Sequence, residues 1–161
     1  YIIMSFISHN GYGYSKRLCE DATGWFLNSF FPNHSIGLDI DHKGLKRDNV
    51  VGYCDTIDHS YRPRLFLIEL QANMDRELYL KTLFHELTHV AQWVRGDLRF
   101  LYGKLCFYKE PVENYAYEDQ PHEIEARREE ERLYDWWIND KKSVAEAKVA
   151  QVFANRLTSA L

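Results

Sequence analysis

Long apolar runs are missing from this chain. No stretch approaches the ~20 consecutive apolar residues that a helix needs to cross a bilayer, which argues against a membrane-embedded protein. Cysteine is scarce: Cys19, Cys54 and Cys106 are odd in number, far apart in sequence, and form no Cys-x-x-Cys pair. That argues against a disulfide framework and against a structural zinc–thiolate site. Buried free thiols in a reducing compartment, the cytoplasm, are the expectation. A surplus of positive charge is also lacking. The formal net charge is −4 and the pI about 6.0, so bulk electrostatics do not recommend a nucleic-acid partner. The apolar start, Tyr1 to Ile7, is short and carries no basic leader, so it does not read as a secretory signal.

What the chain does have is length and apolar content sufficient for a single domain over residues 1–161 with one core: 45% hydrophobic and 27% charged residues. Eleven Tyr, nine Phe and four Trp can stiffen that core or line a cleft.

The N-terminal half alternates between helix and strand signals. Leu18, Ala22, Trp25, Phe26 and Phe30 recur at three- and four-residue intervals, which predicts a helix from Ser15 to Phe31, capped by Ser15 and ended before Pro32. Period-two alternation at Ile36, Leu38 and Ile40 predicts a strand, and further strands are expected at Val50 to Thr56 and Arg64 to Leu70. A helix should then run from Arg76 to Arg95, capped by Asn73 or Asp75 and closed by Gly96. Leu80, Leu83, Phe84, Leu87, Val90, Ala91 and Val94 form its buried stripe.

That helix carries His85-Glu86-Leu87-Thr88-His89 at the border of its apolar stripe. Residues four apart on a helix lie one above the other, so the two imidazoles can bind one zinc ion. Glu86, one residue after His85, is placed to take a proton from a metal-activated water. Catalytic zinc normally takes three protein ligands, and no third one follows within the helix: Gln92 and Arg95 stand where another histidine-based pattern would need Gly and His. The candidates lie downstream, in Pro121-His122-Glu123-Ile124-Glu125-Ala126, where Pro121 suits the first turn of a new helix. Glu123 and Glu125 do not share a helix face, so only one of them can be the ligand.

These two blocks, His-Glu-Leu-x-His-Val-x-Gln and Pro-x-Glu-x-Glu-Ala, resemble the gluzincins, the thermolysin-like zinc peptidases, and in particular small single-domain members encoded in phage and bacterial genomes. The resemblance covers about a dozen residues. It implies an α+β, zincin-like fold: an N-terminal helix, a small mixed β-sheet, the HExxH helix and C-terminal helices. It implies His85, His89 and Glu125 as zinc ligands, Glu86 as general base, and Glu129 as a residue that steadies a ligand histidine. Its substrates would be proteins or peptides, and a phage-encoded member would act in the host cytoplasm. Two rivals stand beside it: an SprT-like peptidase acting on DNA-associated proteins, and a non-catalytic zinc-binding or structural domain.

Between the blocks, the aromatic segment Leu98 to Tyr117 is expected to form a covering loop or hairpin. Tyr115, Tyr117 and His122, which precede the ligand helix, are candidates to stabilise an oxyanion. Helices are expected at Glu123 to Asn139 and at Ser143 to Leu161, the second closing the core with its apolar stripe.

Overall fold

The computed structural model describes residues 4–45 and 50–159. Residues 1–3 of the apolar start and the last two positions of the expected C-terminal helix, Ala160 and Leu161, lie outside the described residues. Strand β1 (Phe6–Gly11) leads through helix α1 (Lys16–Phe30) into β2 (Gly37–Lys43). Strands β3 (Gly52–Thr56) and β4 (Leu65–Gln71) follow, then helix α2 (Arg76–Arg95). A small antiparallel sheet, β5 (Leu98–Leu101), β6 (Lys104–Phe107) and β7 (Glu110–Pro111), precedes two single 3-10 turns and the long helix α3 (Pro121–Ser159).

The main sheet has the order β1-β2-β4-β3, with β1, β2 and β4 parallel and β3 antiparallel at the edge. The architecture is therefore α+β with a small mixed sheet. Alternation along the strands decides which face is covered. Leu38, Ile40, Phe66, Ile68 and Leu70 are fully buried and join one core with Ala22 and Phe26 of α1 and Leu80, Leu83, Phe84 and Leu87 of α2. Asp39, Asp41, Lys43 and Glu69 occupy the opposite, partly exposed face, where Lys43 Nζ pairs with Glu69 at 2.9 Å.

Two expectations are corrected, and one strand joins those expected. Phe6–Gly11 is a strand, although Ser8, His9 and Asn10 hide any apolar alternation; its pairing with β2 supplies the order that its own side chains do not signal. The two expected C-terminal helices are one. No glycine or proline separates them, and Ser143 turns its hydroxyl back onto the Asn139 carbonyl at 3.1 Å, inside the helix. Finally, every residue from 141 to 159 is exposed, so Val149, Phe153 and Leu157 do not close the core. Leu133 and Trp137, earlier on α3, do.

Phe84→Ala should therefore destabilise the protein by about 3–5 kcal/mol in a denaturant titration, while Phe153→Ala should stay within about 0.5 kcal/mol of the parent. Equal effects at the two positions would contradict this division between core and exposed helix.

Candidate metal centre

The 20-residue helix α2 is secured at both ends. Asp75 accepts from the Leu78 amide at 2.9 Å, and Gly96 closes the helix in the left-handed region at φ 81°. His85 and His89 sit mid-helix, one turn apart, so their backbones are held far from either fraying end. Their rings approach to 5.0 Å between centroids, nearly perpendicular to one another.

Helix α3 reaches this pair because Gln92 pins its start. The Gln92 amide nitrogen donates to the His122 carbonyl at 3.0 Å, and Pro121 occupies the first helical position. Glu123 then spans both histidines, with Oε2 at 3.1 Å from His85 Nε2 and Oε1 at 3.4 Å from His89 Nε2. One ligand atom from each of His85, His89 and Glu123 falls within 4.8 Å of the others.

The third corner is thus Glu123 and not Glu125. Two residues of helix turn the chain by about 200°, which carries Glu125 away from the pair. It accepts instead from Arg95 Nη2 at 3.0 Å. The position expected for Glu129 is corrected in the same sense. Glu129 pairs with Arg132 at 2.8 Å, and Glu130, two turns after Glu123, is the residue that meets a histidine.

The outer contacts orient both rings. His85 Nδ1 donates to Glu130 Oε2 at 2.7 Å, and His89 Nδ1 donates to Gln92 Oε1 at 2.8 Å. With both Nδ1 positions engaged, both Nε2 atoms are turned toward Glu123, as metal-binding imidazoles require. Two imidazole nitrogens and one carboxylate oxygen are a donor set that suits zinc. Glu130 and Gln92 could have been sought in the sequence at helical spacings from Glu123 and His89, but neither belongs to the motif itself.

Electrostatics favour a cation here. Burial pulls the His85 pKa down, but its hydrogen bonds to Glu123 and Glu130 outweigh this and bring it to about 10. Burial also opposes ionisation of Glu123, yet its contacts with His85 and His89 hold it well below the usual carboxylate range. Burial raises Glu86 to about 7 against the pull of His89 and His85. The metal-free site is therefore a buried ion pair between Glu123 and a protonated His85. A divalent ion would take the place of that proton.

Glu86 is only 5% exposed and packs under β3. A Cβ at Gly52 would lie 2.5 Å from Glu86 Oε1 and 2.9 Å from Thr82 Cγ2, so glycine leaves the space that this carboxylate uses. The site opens into a cleft of about 430 Å³ bounded by β3, the β5–β6 hairpin and the start of α3. Tyr117 and His122 line it. Tyr115 does not; its hydroxyl donates to Glu110 at 2.9 Å. Burial lowers the His122 pKa to about 4, so this ring is neutral at pH 7. Its Nε2 stands 3.6 Å from Glu123 Oε1, while its buried Nδ1 has no protein partner.

Compared with protein-family models, curated protein sequences and solved structures, the chain matches none.

Two outcomes follow from this geometry. His85 has a folded pKa above its ordinary 6.5, so its contribution to metal-free stability is complete below pH 6.5 and is lost as the pH rises through about 10. Calorimetry of chelator-treated protein should show Tm falling across that window, and zinc should flatten the fall. Gly52→Ala should destabilise the fold by about 1–3 kcal/mol through overpacking against Glu86. Its zinc stoichiometry, read by atomic absorption, should match that of the parent.

Proposed function

We propose that this chain is a zinc-dependent peptidase of zincin-like fold, akin to the gluzincins, with Glu123 as the ligand from the later helix. One observation carries the reading. His85, His89 and Glu123 converge beside a buried Glu86, and all four line one open cleft that runs along a sheet edge.

The edge supports a peptide as substrate. The Ile57 amide donates to the Leu65 carbonyl and the Gln71 amide to the Val51 carbonyl, so odd-numbered residues of this strand pair inward. In an antiparallel ladder the alternate residues then turn their backbone groups outward. The Thr56 amide is taken by the Asp55 side chain at 2.8 Å, which leaves Gly52 and Cys54 to pair with an extended chain laid in the cleft.

Bound zinc would acidify a water and polarise the scissile carbonyl. The protein's own groups would do the rest. Glu86, buried beside the two histidines, would accept the proton of the attacking water and return it to the leaving amine. The neutral His122 ring and the Tyr117 hydroxyl line the same cleft and can donate to the carbonyl oxygen as it gains charge. Gln92 and Glu130 keep the ligand imidazoles in their productive tautomer.

Glu86→Gln should retain zinc and lower turnover of a peptide library by about 10²–10⁴-fold. Full activity in this variant would overturn the assignment of the base. Glu123→Ala should lose the metal on dialysis and Glu125→Ala should keep it. Glu130→Ala should weaken zinc affinity by about 10–100-fold, read by competition with a chromophoric chelator.

A further inference from the structure

Next to the metal cleft, a smaller cavity of about 190 Å³ lies beyond the end of β3. Trp93 and Phe100, whose rings stand 5.6 Å apart, line both spaces, so the two are neighbours across one aromatic wall. Thr56 lines the smaller cavity, four residues along β3 from Gly52 and Glu86. An extended chain lying on the β3 edge covers that distance in about 13 Å. A side chain about three residues from the scissile bond would then reach the cavity.

The cavity holds one formal charge of fixed sign. Arg99 lines it, with its guanidinium carbon 4.7 Å from the centroid of the Tyr61 ring and Nη1 donating to the Tyr61 hydroxyl. Arg99 forms no ion pair among the described residues, and its Nε is buried with no hydrogen-bond partner. The other arginine near this end of α2, Arg95, is neutralised twice, by Asp97 and Glu125. The guanidinium lies against the Tyr61 ring on one side, and Gly96 leaves the room that its Nη2 and Nε occupy on the other. A planar guanidinium without a carboxylate partner can receive one. Pro63 and the rings of Tyr61, Trp93 and Phe100 form the apolar walls of the cavity.

We propose that this cavity is an anionic-side-chain subsite, in which Arg99 selects peptides carrying Asp or Glu about three residues from the bond presented to the metal centre. The inference rests on the peptidase reading for its role in cleavage, but the receptor can be tested without turnover. The zinc-loaded Glu86→Gln protein is titrated by calorimetry with alanine-based hexapeptides carrying a single Glu, Gln or Lys at each position in turn. At one position the Glu peptide should bind about tenfold more tightly than its Gln counterpart. Adding Arg99→Gln should remove the difference, Arg99→Lys should keep part of it, and Arg99→Glu should turn the preference toward Lys. Equal binding of Glu and Gln peptides at every position, or a difference that survives Arg99→Gln in a protein of parental Tm, overturns the subsite. The same peptides are offered to the zinc-loaded parent. Cleavage without a Glu preference sinks the subsite alone. Glu-selective binding without cleavage sinks the peptidase reading and leaves the receptor standing, and neither binding nor cleavage sinks both.

Discussion

Two imidazoles on one helix and a carboxylate on another converge only if the helices are locked in register, and beside the packing of Leu133 and Trp137 one buried side chain bridges them at the site itself. Gln92 is fully buried; its oxygen accepts from His89 and its nitrogen donates to the His122 carbonyl. The first contact sets which His89 nitrogen faces the centre, and the second sets where α3 begins. Because α3 begins there, Glu123 falls between the histidines and Glu130, two turns later, falls against His85. A single amide thus couples the tautomer of one ligand to the position of another. A residue that only donates or only accepts could keep at most one of these two contacts.

The same arrangement concentrates negative charge where water is scarce. Glu86 and Glu123 are both nearly buried, 5% and 8% exposed, and Glu130 stands behind His85. Carboxylates so placed repel one another unless positive charge lies between them. In the metal-free protein a protonated His85 provides it. A metal ion bound there would compete with that proton for one electrostatic vacancy, and its binding at neutral pH would release a proton from an imidazole.

Much of this was legible beforehand. The His-Glu-x-x-His spacing, the Asp75 and Gly96 caps and the apolar stripe of α2 are local signals, and each is found in the structure as a local feature. What failed was phase. Glu123 and Glu125 are equally plausible as ligands on paper, because the choice depends on the rotation of α3 about its axis. That rotation is set by Ala126, Leu133 and Trp137, which bury the face that carries Glu123, together with Gln92 reaching across to the His122 carbonyl. The family resemblance favoured Glu125 and Glu129, a pair four apart; the structure uses Glu123 and Glu130, a pair seven apart on the same face. Strand β1 was missed because parallel pairing with β2, not alternation of its own residues, orders it. The cavity around Arg99 joins residues from β3, α2, β5 and the connection before β4, so no short stretch announces it.

The far end of α3 behaves differently from everything described so far. Its first turns are nailed to α2, but residues 141–159 are exposed. Helix formation is costly mainly at its first turn, and here that turn is already made by the packed segment. The outer turns can therefore persist with little tertiary support, unwinding progressively from the tip. Backbone amides should trade hydrogen for deuterium in a gradient along this helix, slow beside Leu133 and Trp137 and fast by Leu157, giving one continuous rod two unequal lifetimes.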